Sequence, residues 1–134
     1  MKKRIAKNKA FTLIEILVVA TLIGVLVTVT AVSFANSQKR SRDARRKADL
    51  ATVLQALVLY RQDNGSYGDA SAFSSLVNTL YSNGYLTNNQ IIDPKSPTYN
   101  YSSYCSSGSN PNCNKVRLRA WIETDGAYYD VYTP

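Results

Sequence analysis

The chain has 134 residues, 45% of them hydrophobic and 10% aromatic, with a formal net charge of +7. That length suits one modest domain plus an appended segment. The chain has no histidine, which excludes His-based catalytic triads and His-ligated metal sites. The charge is unevenly placed: residues 1–10 carry five cations and no acid, residues 36–49 six cations and two acids, and residues 50–134 five cations against six acids. The globular part is therefore not basic. The two flanking bands favour anionic lipid or a partner helix, and nucleic-acid binding through the head is not expected.

The first element is a basic leader, residues 1–10, followed by an apolar run. From Phe11 to Ala35 the one charged residue is Glu15. As a helix this run measures about 37 Å at 1.5 Å per residue, enough to cross a hydrocarbon core of about 30 Å with some tilt. A secretory signal has a shorter apolar stretch followed by a small-residue cleavage site. Here the small residue, Ala10, precedes the apolar run. Cutting after Ala10 removes the cations and leaves the membrane helix on the mature chain; the alternative is an uncleaved signal anchor. An acid in mid-membrane costs roughly 2.5–3.5 kcal/mol on insertion scales. If the chain is cut before Phe11, Glu15 lies about 6 Å along the helix, on the same face as the new α-amino group. That amine has an ordinary pKa of about 7.7–8.0 and is mostly cationic near neutral pH. Glu15 then has a partner, in its own chain or in a neighbouring copy, and an intermolecular pair would set the register of a helix bundle. Otherwise Glu15 snorkels to the interface.

The stretch AFTLIEILVVATLIGVL after a basic leader resembles the class III signal and N-terminal helix of type IV pilins and pseudopilins. The resemblance implies cleavage between Ala10 and Phe11 by a membrane prepilin peptidase, N-methylation of Phe11, and a docking role for Glu15 in a growing filament. Ala10 stands where the family usually has Gly, and Val32 where many major pilins carry a helix-kinking Pro. The implied fold is α+β and pilin-like: a long N-terminal helix, membrane-spanning in its first half, packed on a small antiparallel sheet. The implied segments are the leader (1–10), a transmembrane and assembly helix (11–35), an amphipathic second half (36–62) and a head (63–134).

In the second half, Leu50, Val53, Leu54 and Leu57 follow helical spacing, and Ala44, Ala48 and Ala51 are expected to continue that face. One helix is predicted from Phe11 to Gln62, stopped at Asp63-Asn64-Gly65. The run KRSRDARRKAD holds Lys39, Arg40, Arg42, Arg45, Arg46 and Lys47. It reads either as a juxtamembrane band for lipid headgroups or acidic sites on neighbouring subunits, or as the solvated face of a long helix. YRQDNGSYG is the helix exit. It resembles the segment that joins helix to head in pseudopilins and short pilins, with Gly68 where a Pro often closes the motif. Residues 71–82 fit a second helix with Gly84 just past its end, and DPKSP (93–97) is a loop.

Strands are predicted at 99–104, 115–123 and 127–132, in a sheet of three or four. Val116, Leu118, Ala120 and Ile122 share one face, with a turn at 124–126, and helix segment 50–61 is the cover for that face. Cys105 and Cys113, separated by SSGSNPN, suggest a disulfide in an oxidising compartment; free thiols or a two-Cys metal half-site are the alternatives. No cofactor is expected. Asn110, Asn112, Asn114, Asp125 and Asp130 offer oxygen ligands to calcium, as in some pseudopilins, but match no defined calcium loop. Tyr99, Tyr101, Tyr104, Tyr128, Tyr129 and Tyr132 read as sheet packing rather than a binding platform, with an exposed subset suited to adhesion.

The leading reading is a structural, non-enzymatic subunit of a type IV pilus serving adhesion, twitching motility or DNA uptake. The precursor would be a single-pass inner-membrane protein with its N-terminus inside, processed and then built into an extracellular filament. Its partners would be copies of itself, the prepilin peptidase, the inner-membrane assembly platform and membrane lipid. The alternatives are a pseudopilin of a type II secretion or competence system, and a membrane-anchored adhesin that never polymerises.

Overall fold

A computed structural model describes residues 11–134, apart from the side chains of residues 30–32. The leader, including Ala10, lies outside the described residues. The elements are α1 (Leu13–Asn64), α2 (Phe73–Ser82), β1 (Ser102–Ser109), β2 (Asn112–Ile122) and β3 (Ala127–Tyr132). This is the expected α+β architecture, a long helix and a small three-stranded antiparallel sheet. The chain divides into two units, meeting at Ser37 and Gln38.

In the first unit, Thr12 opens the helix, its carbonyl accepting from the N–H groups of Glu15 and Ile16. The large apolar side chains from Phe11 to Val29 and at Phe34 are exposed. The hydroxyls of Thr21, Thr28 and Ser33 donate to the carbonyls of Val18, Val25 and Val29 on their own helix. Polar groups satisfied within the helix suit an apolar surrounding, where no water replaces a lost bond.

The second unit holds the core. The buried stripe of α1 runs through Asp43, Arg46, Leu50, Val53 and Leu57, with the three- and four-residue spacing of one helix face. The expectation for Ala44, Ala48 and Ala51 is overturned: all three are exposed. The stripe leads from leucines into an ion pair instead. The sheet order is β1-β2-β3. Alternation along β2 buries Val116, Leu118, Ala120 and Ile122, the first three in one cluster with Leu50, Val53 and Leu57 of α1 and Phe73, Leu76, Val77 and Leu80 of α2. Removing such a Leu or Val side chain from water contributes roughly 1.5–3 kcal/mol.

Helix α2 ends at Asn83, with the N–H groups of Gly84 and Tyr85 bonding back to the carbonyls of Tyr81 and Leu80. Gly84 has φ +80, the left-handed closure expected of it. The exit segment is tied to the β1–β2 hairpin. Tyr67 N–H donates to the Cys113 carbonyl, and Cys113 N–H donates to that of Gly68. Gly68 sits at φ +75 with the Tyr60 ring 3.4 Å from where a Cβ would stand. A left-handed backbone is closed to proline, whose ring fixes φ near −65°, so this exit is not built like the proline-closed motif it resembles.

The first strand lies later than expected, at Ser102–Ser109 rather than 99–104. Asn100 and Tyr101 approach it as irregular chain, and Tyr101 enters the core.

Candidate functional site

The helix of the first unit carries the candidate assembly residues. Phe11 is 77% exposed. Glu15 stands in the first turn of α1, where a carboxylate complements the helix dipole, and its side chain is exposed. The helix is long and apolar enough to cross a membrane, and that apolar window is unburied within the structure.

The basic band divides. Arg46 is fully buried. Its Nε and Nη2 donate to both oxygens of Asp93 at 2.7 and 2.9 Å. Its Nη1 donates to Asp43 and to Glu123, each at 2.8 Å. Arg42 grips Glu123 with two bonds of 2.7 and 2.8 Å, and Lys95 adds a third cation 3.3 Å from the same carboxylate. Asp43 closes the group by accepting from the N–H groups of Glu123 and Thr124. Three cations meet three acids, clamping α1, the 93–97 loop and the β2–β3 turn together. Arg46, buried, and Arg42, half-buried and bound to Glu123, are thus taken up by the head rather than offered to lipid, neighbours or solvent. Lys39, Arg40, Arg45 and Lys47 remain exposed. Among them Arg45 approaches Asp49 at 4.0 Å, and Lys47 lies over the Tyr129 ring.

The cluster's electrostatics follow from these contacts. The Arg42 bonds, with those of Arg46 and Lys95, hold Glu123 far below the usual carboxylate range against the opposing effect of burial. Burial alone would raise Asp43, but the backbone N–H groups of Glu123 and Thr124, with Arg46, outweigh it and lower its pKa. Asp93, Glu123 and Arg46 were not legible as partners. Asp93 lies in the loop expected at 93–97, and Glu123 alternates to the strand face opposite Val116, Leu118, Ala120 and Ile122.

Cys105 and Cys113 form the expected disulfide, closing the β1–β2 hairpin. Two of the five calcium candidates have other work: Asp130 is bound by Arg119 through two bonds of 2.7 and 2.9 Å, and the Asn110 side chain accepts from the N–H of Ala70. Among the described residues no group of three or more His, Cys, Asp or Glu is placed to hold a metal ion. An open cleft of about 640 Å³ lies between α2, the 89–100 loop and β1, lined by hydroxyls and amides such as Ser71, Asn78 and Asn100. Its one carboxylate, Asp93, is already held by Arg46.

The tyrosines separate by face. Tyr101 is buried, its hydroxyl donating to Asp49 at 2.7 Å. Burial, and then that bond, push its pKa well above the usual range. Tyr104, Tyr128, Tyr129 and Tyr132 are exposed, so packing accounts for fewer of them than the sequence suggested.

Residues 5–31 match the family model described as the prokaryotic N-terminal methylation motif. The chain is 30% identical over 63 residues to the type IV major pilin protein PilA of Myxococcus xanthus, a match covering 47% of this chain and 29% of that protein. It is 31% identical over 61 residues to the type II secretion system core protein G of Escherichia coli, covering 46% of this chain and 42% of that one. The matches thus span less than half the length of these curated relatives. No solved structure matches.

Proposed function

We propose that this chain, similar to type IV pilins and type II secretion pseudopilins and carrying their methylation motif, is a structural subunit of a type IV pilus. It is made as a single-pass precursor in the inner membrane, with its N-terminus inside. Prepilin peptidase cuts between Ala10 and Phe11, and Phe11 is N-methylated. On the assembly platform the helices leave lipid for a filament bundle that ends outside the cell. The observation that carries this reading is the exposed apolar helix with one carboxylate, Glu15, four residues from the cut. Apolar packing brings helices together, and Glu15 pairing with a neighbour's Phe11 amine selects one axial register. Such a contact is heterologous and does not close, so it propagates as a fibre.

A second reading, a pseudopilin of a secretion or competence system, draws on the larger share of the E. coli secretion protein that the match covers, 42% against 29%.

The N-terminal mass of protein taken from its native membrane and from sheared surface material tests the proposal. A chain beginning at methylated Phe11 in the sheared fraction is expected. Glu15→Ala is expected to abolish filaments while leaving the head folded and its disulfide intact. An uncut N-terminus, or wild-type filament yield from Glu15→Ala, would sink it. Mature protein confined to the membrane fraction would favour the secretion or competence reading.

A further inference from the structure

The outward face of the sheet carries a row of cations and rings that neither the fold nor assembly through α1 requires. In register, Tyr104 of β1 and Tyr132 of β3 both pair with Arg117 of β2. Neighbouring strands lie about 4.8 Å apart, so two tyrosines stand roughly 10 Å apart with a guanidinium between them. Arg117 lies 4.8 Å over the Tyr104 ring. It makes no direct ion pair among the described residues, its charge acting on Asp130 only at longer range, and its buried Nε has no acceptor. Tyr132 is 49% exposed and stacks on no ring or cation among the described residues. Two residues along, Arg119 sits 4.8 Å over the ring of Tyr128, which is 60% exposed, and Tyr128 meets Trp121 edge-on at 5.0 Å.

We propose that this face is a docking site for single-stranded nucleic acid, with Tyr132 stacking an unpaired base and Arg117, held over the Tyr104 ring and assisted by Lys115 and Arg119, holding phosphates. The occupant follows from charge complementarity. Lys115, Arg117 and Arg119 face one acid, Asp130, which Arg119 already neutralises. The balance of acids over cations in residues 50–134 hides this, because Asp93 and Glu123 are spent inside on Arg42, Arg46 and Lys95. A second copy docking face to face would present the same cations and be repelled. A duplex hides its ring faces, whereas sequence-tolerant single-strand sites combine a cationic track with aromatic platforms. The proposal holds for either kind of filament.

The test uses the full chain in a neutral detergent and fluorescence anisotropy of a labelled oligothymidylate of about 20 nucleotides, longer than one site of roughly 4–16. Saturable binding is expected, with log affinity falling by about 1.4–2.1 per log unit of salt, as for two or three phosphates on a single strand. Tyr132→Ala is expected to weaken binding roughly 5- to 150-fold, the range for losing one stacked base, while Tyr132→Phe binds as the parent does. Arg117→Gln is expected to weaken binding and to lower the salt slope by about 0.7. Unchanged Trp121 fluorescence and an intact disulfide show that each variant is folded. The idea is overturned by absence of binding at low salt, or by equal affinity for a duplex or for dextran sulfate. It is equally overturned if a Lys39→Gln, Arg40→Gln, Arg45→Gln variant loses binding while Arg117→Gln keeps it.

Discussion

Arg46 is a cation with no exposed surface, and its four hydrogen bonds to Asp43, Asp93 and Glu123 make it the centre of the head's polar core. A buried ion pair is weak evidence of net stability, but removing one partner strands the others, typically at 3–5 kcal/mol. Arg46→Met is therefore expected to lower unfolding stability by about 3–5 kcal/mol in urea titrations followed by Trp121 fluorescence. Arg45→Met, one residue away and exposed, is expected to stay within about 0.5 kcal/mol. The same cluster, with the separate Arg119–Asp130 pair, sets a pH dependence. Asp43, Glu123 and Asp130 all have folded pKa values below their ordinary 3.8, 4.5 and 3.8. A depressed folded pKa gives stability that is fully present above the unfolded value and lost as pH falls through the folded one. The urea midpoint should therefore be nearly flat from pH 7 to about pH 5 and fall steeply below about pH 4. A midpoint that holds to pH 2 would show that these carboxylates do not support the head. Read from the sequence, the face of Leu50, Val53 and Leu57 continues through Ala44, Ala48 and Ala51, whereas it is Asp43 and Arg46, at the same helical spacing, that turn inward. Their partners Asp93 and Glu123 lie 47 and 77 residues from Arg46, beyond the reach of any local pattern.

At the scale of elements, the best-read segments were those with strong periodicity. Helix α1, helix α2 with its glycine stop, and strands β2 and β3 all lie within a few residues of expectation. Strand β1 was misplaced because its sequence, SSYCSSGS, carries almost no apolar alternation. What makes it a strand is pairing with β2 and the covalent tie between Cys105 and Cys113. Neighbouring YNY drew the assignment toward itself because aromatics favour strands, whereas Tyr101 is spent on the core. A strand so dependent on its tie gives a direct expectation. Replacing both cysteines by serine should cost about 2.5 kcal/mol from loop-closure entropy over a short ring, read as a lower urea midpoint. Cys113 is fully buried, so the serine hydroxyl adds to that loss. An unchanged midpoint would mean that pairing alone holds β1.

At the scale of the whole molecule, the net charge of +7 proved a poor guide until it was sorted by place. Of the six cations in the 39–47 band, Arg42 and Arg46 build the head, and Lys39, Arg40, Arg45 and Lys47 are left on its surface. A Lys39→Gln, Arg40→Gln, Arg45→Gln variant is expected to keep the parent's urea midpoint within about 0.5 kcal/mol per site. Its filament yield should fall, and the remaining yield should respond less to added salt, since exposed charges act within a Debye length of about 8 Å at physiological ionic strength. Salt-insensitive, undiminished assembly would assign these residues to solvation alone.

The smoothness of the first unit's helix has a mechanical meaning. Thr21, Thr28 and Ser33 turn their hydroxyls back onto their own backbone, so along this surface Glu15 is the one charged marker of axial position. In the proposed filament, a rope laid from such strands would resist bending through broad greasy contact but resist pulling chiefly at one latch per strand. Under load the latches would yield together while the sheaths stayed in contact, and the rope would lengthen by sliding before it parted.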